Sequence, residues 1–250
     1  MEVILKLPTA VVIGVGASKG IGGAVCKKFA KEGYHVIIAG RTREKIEKIT
    51  FDLKSKGLSS ESFCIDTTNE DDIIKLFDLA MLENSNRQPA DLIVYNAGNN
   101  KIIDFRKLTS DEFESFWRIG CYGGFLVGRE AARRLVPLGR GTIIFTGATG
   151  SLRGKPGFAH FASAKAGLRM ISQSMAREFG PLGIHVAHVL IDGGVNGDRL
   201  KSSRPDMVKK LGETGLLNVE SIASNYWHIH KQESTAWTQE IDLRPSIEIY

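Results

Sequence analysis

Short runs rich in β-branched and aromatic residues alternate with longer amphipathic segments along almost all of the 250 residues. This alternation restricts the possible folds more than any other feature. A strand followed by a helix and then by another strand must return to the same sheet in parallel. Segments 9–15, 35–39, 61–65, 91–95, 141–146 and 184–190 read as strands, most of them apolar at successive positions, as a sheet covered on both faces requires. Segments 21–33, 42–56, 69–82, 110–135 and 157–179 carry apolar residues at helical spacing, and Thr42, Asn69 and Ser110 are their candidate caps. After Gly193 the pattern weakens. Segment 198–217 is polar and reads as mobile, 219–230 as a short helix, and 238–243, ahead of Pro245, as a closing strand. The expectation is an α/β doubly wound parallel sheet of about seven strands with helices on both faces. One domain spans 1–250, with 198–230 as a lid region on the substrate side.

In such a sheet a ligand sits at the carboxyl ends of the strands, where strand order reverses. Charge narrows the choice of ligand. Lys and Arg exceed Asp and Glu by 33 to 28, and the surplus is dispersed except around Arg41, Arg43, Lys45 and Lys48. Glu44 and Glu47 alternate with these cations, as on a solvated helix face, so only Arg41 stands out. Nucleic acid is not indicated; a smaller anion is. Cys26, Cys64 and Cys121 form no metal-ligand pattern and fit a reducing cytoplasm. His228 and His230 lie two apart, which does not place both on one helix face, so no metal is expected. No run approaches the roughly 20 apolar residues of a membrane span.

The segment Gly14-Val15-Gly16-Ala17-Ser18-Lys19-Gly20-Ile21-Gly22 follows the first strand and runs into a helix. Residues without a Cβ let the chain turn tightly and approach a pyrophosphate, whose charge meets the amides of the helix N-terminus. Gly16, Ser18, Lys19, Gly20, Ile21 and Gly22 are therefore candidate cofactor contacts. After the second strand, where NAD-binding folds carry an acid for the ribose 2′-hydroxyl, the chain reads Ala39-Gly40-Arg41. Arg41 and Lys19 together favour the 2′-phosphate of NADP(H) over NAD(H). A nucleoside-sulfonium cofactor on a similar sheet would give these two cations nothing to neutralise.

Gly16-x-x-x-Gly20-x-Gly22, Asp66 after the third strand and Asn96-Ala97-Gly98 after the fourth resemble the short-chain dehydrogenase/reductase family from about residue 8 to about residue 197. The resemblance implies a Rossmann fold in which Asp66 meets the adenine and Asn96, Ala97 and Gly98 support the sheet beside the adenosine ribose. It also implies that Gly193 and Val195 pass close to the nicotinamide. In that family a Tyr four residues before a Lys donates a proton, a Ser thirteen residues before the Tyr binds the carbonyl oxygen, and an Asn on the preceding long helix completes a relay. The family's Lys holds the ribose and lowers the Tyr pKa, and Lys165 is present here as the candidate catalytic and cofactor-binding residue, but the Tyr, Ser and Asn positions are Phe161, Ala148 and Gly120. Thr149, Tyr122 and His160 are candidate replacement donors, although helical geometry turns His160 away from the face shared by Phe161 and Lys165, as a surface or interface residue. The family's habit of pairing through its long helices, here 110–135 and 157–179, implies a homodimer or homotetramer.

Two functions are compatible with these residues. One is an NADP(H)-dependent oxidoreductase acting on a small carbonyl, alcohol or activated alkene with a non-standard proton donor. The other is a catalytically inactive NADP(H)-binding sensor or structural partner of an active relative. The substrate is a small molecule that the sequence leaves unidentified. Segment 198–217, with Arg199, Lys201, Arg204, Lys209 and Lys210 among Leu200, Met207 and Leu211, suits an anionic or mixed ligand.

Overall fold

The computed structural model describes residues 6–212 and 214–247. Seven parallel strands form one sheet: β1 (Leu7–Ile13), β2 (His35–Gly40), β3 (Ser60–Cys64), β4 (Arg87–Tyr95), β5 (Gly141–Thr146), β6 (Ile184–Ile191) and β7 (Glu240–Leu243). Their order is β3-β2-β1-β4-β5-β6-β7, so strand order reverses between β1 and β4. Side chains alternate across the sheet. Ala10 and Val12 enter one core with Val25 and Phe29 of helix α1 (Ile21–Lys31), Ile46 and Ile49 of α2 (Arg43–Lys54), and residues of the C-terminal helix. Val11 and Ile13 enter the other, with Ile73 and Phe77 of α3 (Glu70–Met81) and residues of the central helices. Both faces are thus covered, which accounts for the continuous apolar strands.

Three local expectations are corrected. Segment 110–135 is two helices, α4 (Ser110–Trp117) and α5 (Gly123–Leu135), joined by a π-helical turn over Arg118–Tyr122. Apolar spacing continues through the turn, so periodicity alone does not reveal it. The cap of α4 is Thr109, whose hydroxyl accepts from Glu112 N while Glu112 reaches back to Thr109 N, and Ser110 lies inside the helix. Asn69 does cap α3, accepting from Asp72 N, whereas Thr42 stands at the N-cap of α2 without a side-chain hydrogen bond. After α6 (Ala159–Phe179), segment 198–217 is ordered into α7 (Asp198–Ser203) and α8 (Pro205–Leu211), and α9 (Val219–His230) follows as expected. Pro205 at the first position of α8 was the available signal for a helix start.

Candidate functional site

Gly14 leaves β1 at φ +85°, and a methyl group there would lie 2.3 Å from Ala97 N, so this crossing of two strand ends requires glycine. Asn96 fixes the crossing by donating from Nδ2 to Gly14 O at 3.2 Å and from its backbone to Ile13 O at 2.8 Å. The loop then opens onto the N-terminus of α1. That terminus has no side-chain cap and no acidic residue in its first turn, and nothing lies within 4 Å of where a Gly16 side chain would stand. Such an end presents free amides and the positive end of the helix dipole to an anion.

A cleft of about 420 Å³ lies above the point where strand order reverses. Of the sequence-predicted residues it brings together Gly16, Lys19, Gly20, Ile21, Gly22, Asn96, Gly98, Lys165, Gly193 and Val195. Ser18, Arg41, Asp66 and Ala97 stand outside its lining. Ser18 is held by Lys27 Nζ, which donates to Ser18 Oγ at 2.8 Å and Ser18 O at 2.9 Å. Arg41 is exposed after β2, and its carbonyl accepts from Cys64 Sγ. Asp66 is exposed after β3 and accepts from Thr68 N and Oγ1, both at 2.9 Å.

Phe161, Ala148 and Lys165 all line the cleft. Gly120 does not line it: a methyl group at Gly120 would lie 2.8 Å from Ala164 Cβ. Lys165 is 4% exposed, and its Nζ donates to Thr146 O at 2.8 Å and Ala97 O at 3.4 Å. Among the described residues no carboxylate pairs with it. Burial pushes Lys165 down to about 8, opposed by the Cys121 thiol nearby.

None of Thr149, Tyr122 and His160 stands on the cleft wall. Thr149 Oγ1 donates to Asp192 Oδ1 at 2.6 Å, within a buried cluster that joins Asp192 to Arg153 and Arg244. Tyr122 stacks on Trp117 beneath the Arg118 guanidinium. His160 is corrected from a surface residue to a fully buried one whose ring packs 4.2 Å from that of Phe116.

Sequence reasoning named Arg199 only as a cation of the lid segment and missed how the cleft is bridged. Asp198, opening α7, accepts from Lys19 N at 3.3 Å and donates from its backbone to Lys19 O at 2.9 Å. Arg199 Nη2 donates to Asn99 Oδ1 at 2.6 Å and to Asn100 O and Oδ1 at 3.1 Å. Helix α7 is thereby fastened to both banks. Asn99 and Asn100 directly follow Asn96-Ala97-Gly98, which was the usable signal.

No group of His, Cys, Asp and Glu among the described residues could hold a metal ion, and none of their helices is long and apolar enough to cross a membrane.

The model of the short chain dehydrogenase family matches residues 10–208. A 3-oxoacyl-(acyl-carrier-protein) reductase of Rickettsia bellii is 32% identical over 171 residues, 68% of this chain and 67% of the relative. A gluconate 5-dehydrogenase of Gluconobacter oxydans is 26% identical over 183 residues, 73% and 70% of the two chains. The crystal structure of a short-chain dehydrogenase from Rhodopseudomonas palustris superposes with a TM-score of 0.80 at 36% identity, covering 95% of this chain and 98% of that one. A metagenomic short-chain oxidoreductase in complex with NADP has the same fold, with a TM-score of 0.78 at 21% identity over 97% of this chain and 99% of that one.

Proposed function

This chain belongs to the short-chain dehydrogenase/reductase family, and from that premise we propose that it is an NADP(H)-dependent oxidoreductase acting on a small carbonyl, alcohol or activated alkene. The observation that carries the reading is the cleft itself. An uncapped helix N-terminus and a glycine loop open onto it, and a buried ammonium with no carboxylate partner among the described residues stands in its wall. Gly16, Gly20, Ile21 and Gly22 would receive the pyrophosphate, with Ser18 held in place by Lys27. Asn96, Ala97 and Gly98 would lie beside the adenosine ribose, Asp66 would meet the adenine, and Gly193 and Val195 the nicotinamide. Lys19 and Arg41 would meet the 2′-phosphate as charge-assisted donors. A bound reduced nicotinamide supplies hydride to the substrate. The relative solved with NADP supports this choice of cofactor only as an analogy of fold.

Calorimetric titration with NADPH and NADH tests the reading. NADPH is expected to bind more tightly, and Arg41→Asp to shift the ratio toward NADH by about 1–3 kcal/mol. An unchanged ratio would sink the phosphate assignment. The apolar pair Phe161 and Ala148 favours a second reading, an NADP(H)-binding sensor or partner without turnover. Tight NADPH binding with no oxidation across a panel of carbonyls and activated alkenes would select it.

A further inference from the structure

The reaction proposed above needs a proton as well as a hydride, and the cleft wall restricts where that proton can originate. Phe161 carries no acidic hydrogen and Ala148 no hydroxyl. Thr149 has given its hydrogen to Asp192, and His160 and Tyr122 lie off the wall. Of the other polar side chains lining the cleft, Lys19, Asn99, Asn100, Arg199 and Ser203 are exposed, Asn96 is committed to Gly14 O, the Thr146 hydroxyl is hydrogen-bonded to Tyr226 OH, and Lys165 is buried. An ammonium has three hydrogens to donate. Two of those on Lys165 are taken by Thr146 O and Ala97 O, which leaves one uncommitted on a side chain that borders the cleft.

We infer that Lys165 is itself the proton donor of this protein, acting directly on the substrate oxygen where no tyrosine intervenes. The inference rests on the oxidoreductase reading. As hydride adds to the carbonyl carbon, the C–O π electrons take the proton from Lys165 Nζ. The carbonyl is reduced to an alcohol, the nicotinamide is oxidised, and Lys165 is left as a neutral amine that regains its proton from water in the open cleft. The surroundings suit such exchange. The titratable groups facing Lys165 are the Cys121 thiol from the π-helical turn and His188 from β6. Burial raises the first and lowers the second to about 4, so both are neutral near pH 7. With no carboxylate among the described residues to pin its charge, burial lowers Lys165 to about 8, close to the working range of a general acid.

Chemical rescue provides the test. Wild-type reduction is expected to fall as pH rises through about 8, and Lys165→Ala to lower turnover by about 10²–10⁴. Added primary amines should restore Lys165→Ala in proportion to their acidity. Rescue that is indifferent to amine acidity, or turnover retained without Lys165, overturns the assignment while leaving the oxidoreductase reading intact. A wild-type protein that binds NADPH and turns over nothing overturns both. A readout independent of turnover is calorimetry of NADPH binding at pH 8.5 in buffers of different ionisation enthalpy. Wild type is expected to take up a fraction of a proton that Lys165→Met does not, and equal uptake by both proteins refutes the role.

Discussion

Replacing Gly120 by Asn would return a carboxamide to the position that the family uses for its relay, and the structure predicts that the protein resists it. A Cβ at Gly120 lies 2.8 Å from Ala164 Cβ, about 0.7–1.2 Å inside the ~3.5–4.0 Å optimum for two carbons. Both atoms belong to well-packed elements, the π-helical turn and α6. Neither is the tip of a long side chain that could swing aside, so backbone must move. Overpacking of this kind costs about 1–3 kcal/mol, against a gain of a few tenths from removing a helical glycine. At about 2–4 °C per kcal/mol for a chain of this size, the melting temperature should fall by roughly 2–10 °C. Differential scanning calorimetry of Gly120→Asn, Ala164→Gly and the double variant measures the contact as a coupling energy. The double variant should recover about 1–2 kcal/mol relative to the sum of the single ones. Additive effects, or a Gly120→Asn protein as stable as wild type, would refute the steric argument and show that the relay position is open.

Two further outcomes are expected. Phe161→Tyr combined with Ala148→Ser should create or raise carbonyl reduction by about 10²-fold or more if only proton transfer limits the protein, and an NADPH-binding double variant without such a gain would show that the pocket has diverged more widely. Burial depresses His188 and His230 to about 4 from an ordinary 6.5, so below pH 6.5 the unfolded chain binds protons that the folded one refuses. Their contribution is present above pH 6.5 and is lost as pH falls toward 4. Urea denaturation at stepped pH should show stability declining across that window, and a flat profile would refute the burial argument.

The sheet was legible because most strands are apolar on both faces and the long helices on one stripe, so Val11 and Val12 announce burial on opposite sides. The glycine loop and Lys165 were legible for a different reason, since Gly14 and Gly22 answer to backbone geometry and Lys165 to its spacing from Phe161. What escaped were features set by contacts between distant segments. The π-helical turn coincides with the closeness of Gly120 to Ala164, and the burial of His160 depends on Phe116 from another helix. The role of Asp192 depends on Arg153 and Arg244, which lie far from it along the chain. Helices α7 and α8 escaped because, at 6 and 7 residues, they are too short for a helical period to declare itself, and only Pro205 marks a boundary.

The two fastenings of α7, Asp198 to Lys19 and Arg199 to Asn99 and Asn100, bear on time rather than affinity. A dinucleotide lying along the cleft would leave only when these polar contacts open, a local rearrangement of the microsecond-to-millisecond class rather than free diffusion. Cutting one fastening, as in Arg199→Ala, would then speed both entry and departure while leaving the equilibrium nearly unchanged. In a working reductase, the slow step would become the departure of spent cofactor past α7.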